Sequence, residues 1–153
     1  MDHSRQRVVW SVLGVVLLAV AAVLATPLLA QTSLDIDLTV DTTTVRPALG
    51  EVTIAGTVTC SQAVNTFVSV ALTQPVGRIN SVNGFAAVPV ACAGPDVRRF
   101  EVRVVGVDGR FDVGIAYLNA FVQGCVVPEP YPGPLPQCDS DQVVTTVRLT
   151  EMR

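Results

Sequence analysis

The chain has 153 residues and a net charge of −3, and 50% of its residues are hydrophobic while 15% are charged. This apolar composition excludes an intrinsically disordered chain, and the length fits one domain after a short leading segment. The small net charge removes the usual electrostatic basis for binding nucleic acid, so we expect no nucleic-acid partner.

Residues 1–30 have the pattern of a secretory signal peptide. Arg5 and Arg7 precede an uncharged, largely apolar run at residues 8–25, and Pro27 comes shortly before the small residue Ala30. This order predicts export with cleavage after Ala30. The run of 18 residues is also long enough to span a bilayer, so an uncleaved membrane anchor is the alternative. In both cases residues 31–153 lie outside the cell. The protein would contact a membrane only if residues 1–30 are not cleaved.

The four cysteines predict two disulfides, because an exported chain folds in an oxidising compartment. Three pairings are possible, and we favour Cys60 with Cys92 and Cys125 with Cys138. Cys60 and Cys92 both end predicted strands in the inward phase, so a bridge on the core side is geometrically reasonable. The second bridge would close the base of the last hairpin.

Alternation of apolar and polar residues with a period of two predicts seven β-strands. They cover residues 34–41, 52–60, 68–72, 88–92, 100–104, 111–122 and 143–149. In the fifth strand, Phe100, Val102 and Val104 are expected to point inward while Glu101 and Arg103 point to water. The sixth segment is apolar in both phases, which predicts a central strand covered on both sides.

Turn signals separate these strands. The dipeptides Asn83-Gly84 and Asp108-Gly109 predict two-residue hairpin turns, because both tolerate the positive φ of a type I′ turn. Residues 47–50, 74–77 and 93–96 are further turn clusters. Seven short strands with frequent turns predict an all-β fold, a seven-stranded antiparallel Ig-like sandwich over residues 31–153. Antibody domains have a Trp between their bridging cysteines, and this chain has none there, so we expect an Ig-like domain rather than one of antibody type.

A family resemblance accompanies this pattern. The motif Gly56-Thr-Val-Thr-Cys60, the inward Cys92 and the Gly/Ala-rich strand at residues 111–120 resemble small secreted actinobacterial domains of unknown function. All ten basic residues are Arg and the chain is rich in Ala and Val, which is consistent with a GC-rich bacterial genome. The resemblance covers residues 34–125. It implies an exported Ig-like fold and brings no catalytic residue.

Residues 126–137 form a Pro-rich loop in which five prolines occupy alternate positions. Each proline fixes its own φ and restricts the preceding residue, so the loop is expected to be a stiff, polyproline-like segment clamped by the Cys125–Cys138 bridge. Such a loop loses little entropy on binding, and Glu129, Tyr131 and Leu135 would be its displayed binding residues. The alternative is stiffening against proteases alone.

The residues needed for most catalytic mechanisms are absent. Residues 31–153 contain no His and no Lys, which removes Ser-His, Cys-His and Lys-based chemistry, and no two cysteines have close zinc-ligand spacing. A carboxylate pair for glycoside hydrolysis is the one arrangement left open. We therefore predict a protein that is not an enzyme, with no catalytic residue, no cofactor and no metal.

Two acidic clusters have a simple interpretation. Asp35, Asp37 and Asp41 alternate along the first strand, and Asp139 and Asp141 precede the last one. Charged residues of this kind keep strands soluble and discourage edge-to-edge pairing. Calcium binding through the first cluster is the alternative, since its ligands are oxygens.

These observations predict a non-catalytic secreted or cell-surface module. It would bind an unknown extracellular protein or cell-envelope component through the Cys125–Cys138 loop. One alternative is small-molecule sequestration in a cleft lined by Phe67, Phe85 and Phe121. Secreted chromophore-carrier apoproteins are similar in size, export, number of disulfides and strand count. Another alternative is a structural surface or matrix protein that assembles through exposed strand edges.

Overall fold

The computed structural model describes residues 33–127 and 135–152, which form seven β-strands and no helix. The strands are β1 (Ile36–Arg46), β2 (Glu51–Cys60), β3 (Val64–Val76), β4 (Asn80–Cys92), β5 (Asp96–Val105), β6 (Gly114–Val126) and β7 (Gln137–Glu151). The all-β prediction is confirmed, and each predicted strand overlaps an observed one. The predicted signal segment, residues 1–30, lies outside the described residues. In the described ranges no helix has the length and hydropathy that a membrane span requires.

The strands are joined in the order β4-β3-β6-β7-β1-β2-β5. Five neighbouring pairs are antiparallel, whereas β1 and β7 run parallel and pair only at Thr44 with Thr150 and Val45 with Glu151. The sheet is therefore mixed, and the predicted antiparallel sheet is correct for every pair except this one.

The sheet curls until its two edge strands approach each other. Gly84 of β4 forms a β-bridge with Gly106, just after β5, and the N–H of Val107 donates to the carbonyl of Asn83 at 2.8 Å. A Cβ on Gly84 would lie 2.6 Å from both the Val105 carbonyl oxygen and Val104 Cγ1, so only glycine permits this approach. The result is a nearly closed barrel.

Two of the predicted turns are not turns between paired strands. Asn83 and Gly84 lie inside β4, and the β3–β4 hairpin turns instead at Gly77, whose φ is +68°. Asp108 and Gly109 lie in the connection from β5 to β6, two strands that do not pair, and neither has a positive φ. At Asn83-Gly84 the local turn preference is overridden by the strand pairing of β3 with β4. The turn predicted at residues 47–50 is present, with Gly50 at a φ of +66°.

The core is enclosed by inward residues that follow the predicted alternation. Val52, Ile54 and Val58 of β2 are completely buried, and Phe100, Val102 and Val104 of β5 are at most 5% exposed. Burying an aliphatic or aromatic side chain of this size contributes about 1.5–3 kcal/mol each. Glu101 and Arg103 are exposed, as predicted.

Two disulfides fix the ends of the strands, and they are the pairs favoured from the sequence. Cys60–Cys92, here called the buried disulfide, joins the end of β2 to the end of β4, with Cys60 2% and Cys92 5% exposed. Cys125–Cys138, the hairpin disulfide, joins directly opposite residues of β6 and β7, and both cysteines are exposed. Two intramolecular disulfides are typical of a protein that works in an oxidising environment.

The seam between β1 and β7 is bridged by side chains where the backbones do not pair. Asp139 Oδ2 accepts a hydrogen bond from the N–H of Ile36 at 2.7 Å, and Asp141 Oδ2 accepts one from the N–H of Leu38 at 2.8 Å. These carboxylates satisfy backbone donors that would otherwise lack partners along this part of β1. The second acidic cluster therefore has a structural role that its sequence pattern did not indicate.

Candidate binding face

The outer side of β6 is open, which corrects the expectation of a strand covered on both sides. Its inward residues Ala116 and Leu118 are buried, but Ile115 is 61% and Tyr117 56% exposed. The core fills only one side of the sheet, because within the described residues no second layer lies over β6. An apolar pattern in both phases here marks an exposed apolar surface rather than a buried strand.

This surface extends over four adjacent strands and is here called the aromatic face. It consists of the outward residues of β4, β3, β6 and β7, namely odd-numbered residues 81–91, 65–75 and 115–125 and even-numbered residues 138–148. Arg148 is the only charged residue among these 24 positions. The remainder are aromatic, aliphatic, amide, hydroxyl and cysteine side chains.

The opposite outer surface, formed by β1, β2 and β5, has a different composition. Arg99, Glu101 and Arg103 alternate along the outward phase of β5, and Arg103 Nε lies 3.6 Å from Glu51 Oε1 of β2. Charge is thus concentrated on one side of the molecule and nearly excluded from the other. Depletion of charge together with exposed aromatic rings distinguishes the centre of a binding surface from ordinary solvated surface.

Three phenylalanines dominate the aromatic face. Phe67 is 64%, Phe85 66% and Phe121 37% exposed. Phe121 on β6 lies opposite Ser69 on β3, so Phe67 is its diagonal neighbour, about 7–8 Å away along the ladder. These are the residues that the small-molecule alternative placed in a cleft, and the structure does bring them to one face.

Two shallow open grooves run between these rings. One is lined by Phe67, Phe121, Asn65, Ser69 and Gln123, and it extends to Cys125 of the hairpin disulfide. The other is lined by Phe85, Phe121, Ala71, Asn119 and Gln142, and again by Ser69. Because Phe121 and Ser69 line both, the grooves form one continuous track across the face.

Side-chain amides and hydroxyls beside the track are held in place by hydrogen bonds. Gln142 Nε2 donates to Asn119 Oδ1 at 2.8 Å, and Thr73 Oγ1 donates to Asn83 Oδ1 at 2.9 Å. Each amide keeps further donor or acceptor capacity for a ligand. The face therefore offers apolar rings and oriented polar groups side by side.

The Pro-rich loop begins where the aromatic face ends. Leu135 is 86% exposed, whereas Glu129 and Tyr131 lie outside the described residues. The hairpin disulfide is the last pair of outward residues before the loop, so the loop and the Phe67 groove are continuous in the chain. Of the three predicted loop residues, the structure places only Leu135.

No metal site is formed in residues 33–127 and 135–152, where no three His, Cys, Asp or Glu side chains come together. Asp35, which precedes β1, and Asp37 and Asp41 within it are all exposed. Asp139 and Asp141 are committed to the backbone of β1.

Comparison with protein families, with curated protein sequences and with solved structures finds no match to this chain.

The sequence interpretation missed the most extensive feature of the surface. Tyr117, Asn119 and Gln142 were not singled out, although their outward phase follows from the same alternation that located the core. The available signal was the lack of charge at every second position of four strand segments. It becomes visible only when the four segments are known to be neighbours in one sheet.

Proposed function

We propose that this protein is a non-catalytic, exported binding module whose contact surface is the aromatic face together with the adjoining Pro-rich loop. The observation that carries the proposal is the aromatic face itself, 24 outward positions with one charge and three exposed phenylalanine rings. Export is supported by the two disulfides and by the signal-like residues 1–30.

The architecture is proposed to be Ig-like. Three strands, β1-β2-β5, form one side, four strands, β4-β3-β6-β7, form the other, and the short parallel pairing of β1 with β7 joins them. The β6–β7 hairpin then occupies the position in which Ig variable domains carry a binding loop.

A binding role without catalysis is favoured by the chemistry of the face. Asn, Gln, Ser and Thr supply hydrogen bonds but neither a general base nor an activated nucleophile, and residues 31–153 contain no His or Lys. Because the grooves are open rather than enclosed, they suit an extended partner better than a sequestered small molecule.

The test uses the full-length chain and compares two sets of variants in a binding assay against intact envelopes and secreted proteins of its native host. Phe85→Ala and Phe121→Ala alter the face, and Leu135→Ala alters the loop. Val97→Ala is the matched control, because Val97 is 59% exposed on the opposite outer surface. We expect the face variants to lose binding at least tenfold, Leu135→Ala to lose it to a smaller extent, and the control to bind normally.

The melting temperature of each variant separates lost contacts from lost folding. All four side chains are exposed, so their removal should leave stability within about 0.5 kcal/mol. Binding that survives both face variants and the loop variant would reject this surface as the contact site.

A further inference from the structure

We propose that the aromatic face binds a neutral glycan chain, with sugar rings stacked on Phe67, Phe121 and Phe85. The inference rests on the proposed function and names the ligand class of that same site.

The shape of the site suits a chain-like ligand. The two grooves join at Phe121 and Ser69 into one open track, and the track floor is built of small residues, Ser69 and Ala71. The rings lie along the track rather than in one cluster. In the β3–β4 ladder Phe67 lies opposite Pro89, whereas Phe85 lies opposite Ala71, four residues further along β3. A linear polymer can contact all three rings at once, whereas a compact ligand would reach one groove only.

The chemistry of the track matches both surfaces of a sugar ring. The C–H faces of a pyranose are apolar and pack on aromatic rings, while its rim carries hydroxyl groups that both donate and accept hydrogen bonds. Side-chain amides also donate and accept hydrogen bonds, and the amides of Gln123, Asn119 and Gln142 border the track. The bond between Gln142 and Asn119 orients two of these amides before a ligand arrives, which lowers the entropic cost of binding.

The lack of charge selects a neutral polymer. An anionic glycan would need basic groups, and the only one on this face, Arg148, lies opposite Ile115 in the β6–β7 ladder, six residue pairs from Phe121 and Gln142. A second copy of the chain is less suitable as an occupant, because it would bury the amides and hydroxyls of this face, each of which would then need a partner. A hydrated glycan leaves many of them in contact with water.

The test measures retention of the full-length chain on insoluble cellulose and chitin, and its retardation in gels containing soluble mannan or β-glucan. Polygalacturonate serves as the anionic comparison. We expect the chain to be retained on at least one neutral polymer and not on polygalacturonate. A high concentration of NaCl should have little effect on this retention. Phe121→Ala should weaken binding about tenfold or more because that ring borders both grooves. Phe121→Tyr keeps the aromatic surface and should retain most of the binding. Val97→Ala should bind as the unaltered chain does.

Other outcomes would overturn the assignment. Retention on no neutral polymer, retention abolished by salt, or retention indifferent to Phe121→Ala would each refute a stacked neutral glycan. A dimer by light scattering that Phe121→Ala dissociates would show that a second copy occupies the face. If the glycan assays fail but the face variants still lose binding to host envelopes or secreted proteins, the binding module stands and only its ligand class is wrong.

Discussion

The two carboxylates at the β1–β7 seam provide the sharpest quantitative test of the fold. Asp139 and Asp141 each accept one backbone N–H of β1, at 2.7 and 2.8 Å. A hydrogen bond to a charged group contributes roughly 1.5–3 kcal/mol, and both aspartates are half-buried, which places each near the lower end of that range. Replacing both by Ala should therefore lower the free energy of unfolding by about 3 kcal/mol. For a domain of this size that corresponds to a fall in Tm on the order of 10 °C.

The assay is urea and thermal unfolding followed by circular dichroism, combined with amide hydrogen exchange. Asp139→Asn keeps a carbonyl acceptor without the charge and should lose about half as much stability as Asp139→Ala. Asp37→Ala is the control, since Asp37 is exposed on β1. Exchange at the Ile36 and Leu38 amides should accelerate selectively in the Ala variants. The reasoning fails if the double variant is as stable as the Asp37 control, or if those two amides remain protected in it.

Three further results are expected. Gln74 is 5% exposed, and its side chain hydrogen-bonds both the N–H and the carbonyl of Asp112, at 2.9 and 2.8 Å. Gln74→Leu should therefore lower the free energy of unfolding by about 2–3 kcal/mol. A variant as stable as the parent would contradict this pairing. Gly84→Ala should lower the free energy of unfolding by about 1–3 kcal/mol, because its Cβ would overlap Val104. Gly94→Ala is the control and should be nearly neutral, since a Cβ there meets no atom within 4 Å. Equal melting temperatures of the two variants would disprove the close approach at Gly84. Under native conditions a reductant should open the exposed hairpin disulfide before the buried Cys60–Cys92 disulfide, as alkylation and mass mapping would show, and the reverse order would argue against the burial described.

Much of the fold was accessible from sequence because strand periodicity is a local property. In β5 the alternation alone assigned Phe100, Val102 and Val104 to the core correctly, since apolar side chains at every second position share one face of the strand. The cysteine positions likewise indicated the two bridges, because both ends of each pair fall at predicted strand ends or at a hairpin base.

Local signals failed where long-range pairing decides the conformation. Asn83-Gly84 has the composition of a turn, but the ladder between β3 and β4 continues through it, and Gly84 serves instead to bring β4 against Gly106. Asp139 and Asp141 look like surface charges until β1, about a hundred residues earlier in the chain, is placed beside them.

The aromatic face shows the same division most clearly. From the sequence alone Phe67, Phe85 and Phe121 could be grouped as candidate lining residues, although β6 was expected to be covered on both sides. Only the tertiary structure decided that β3, β4, β6 and β7 are neighbours and that nothing in the described residues covers their outer side. The physical reason is that backbone geometry sets the direction of each side chain locally, whereas its neighbours and its access to solvent depend on strands that are distant in sequence.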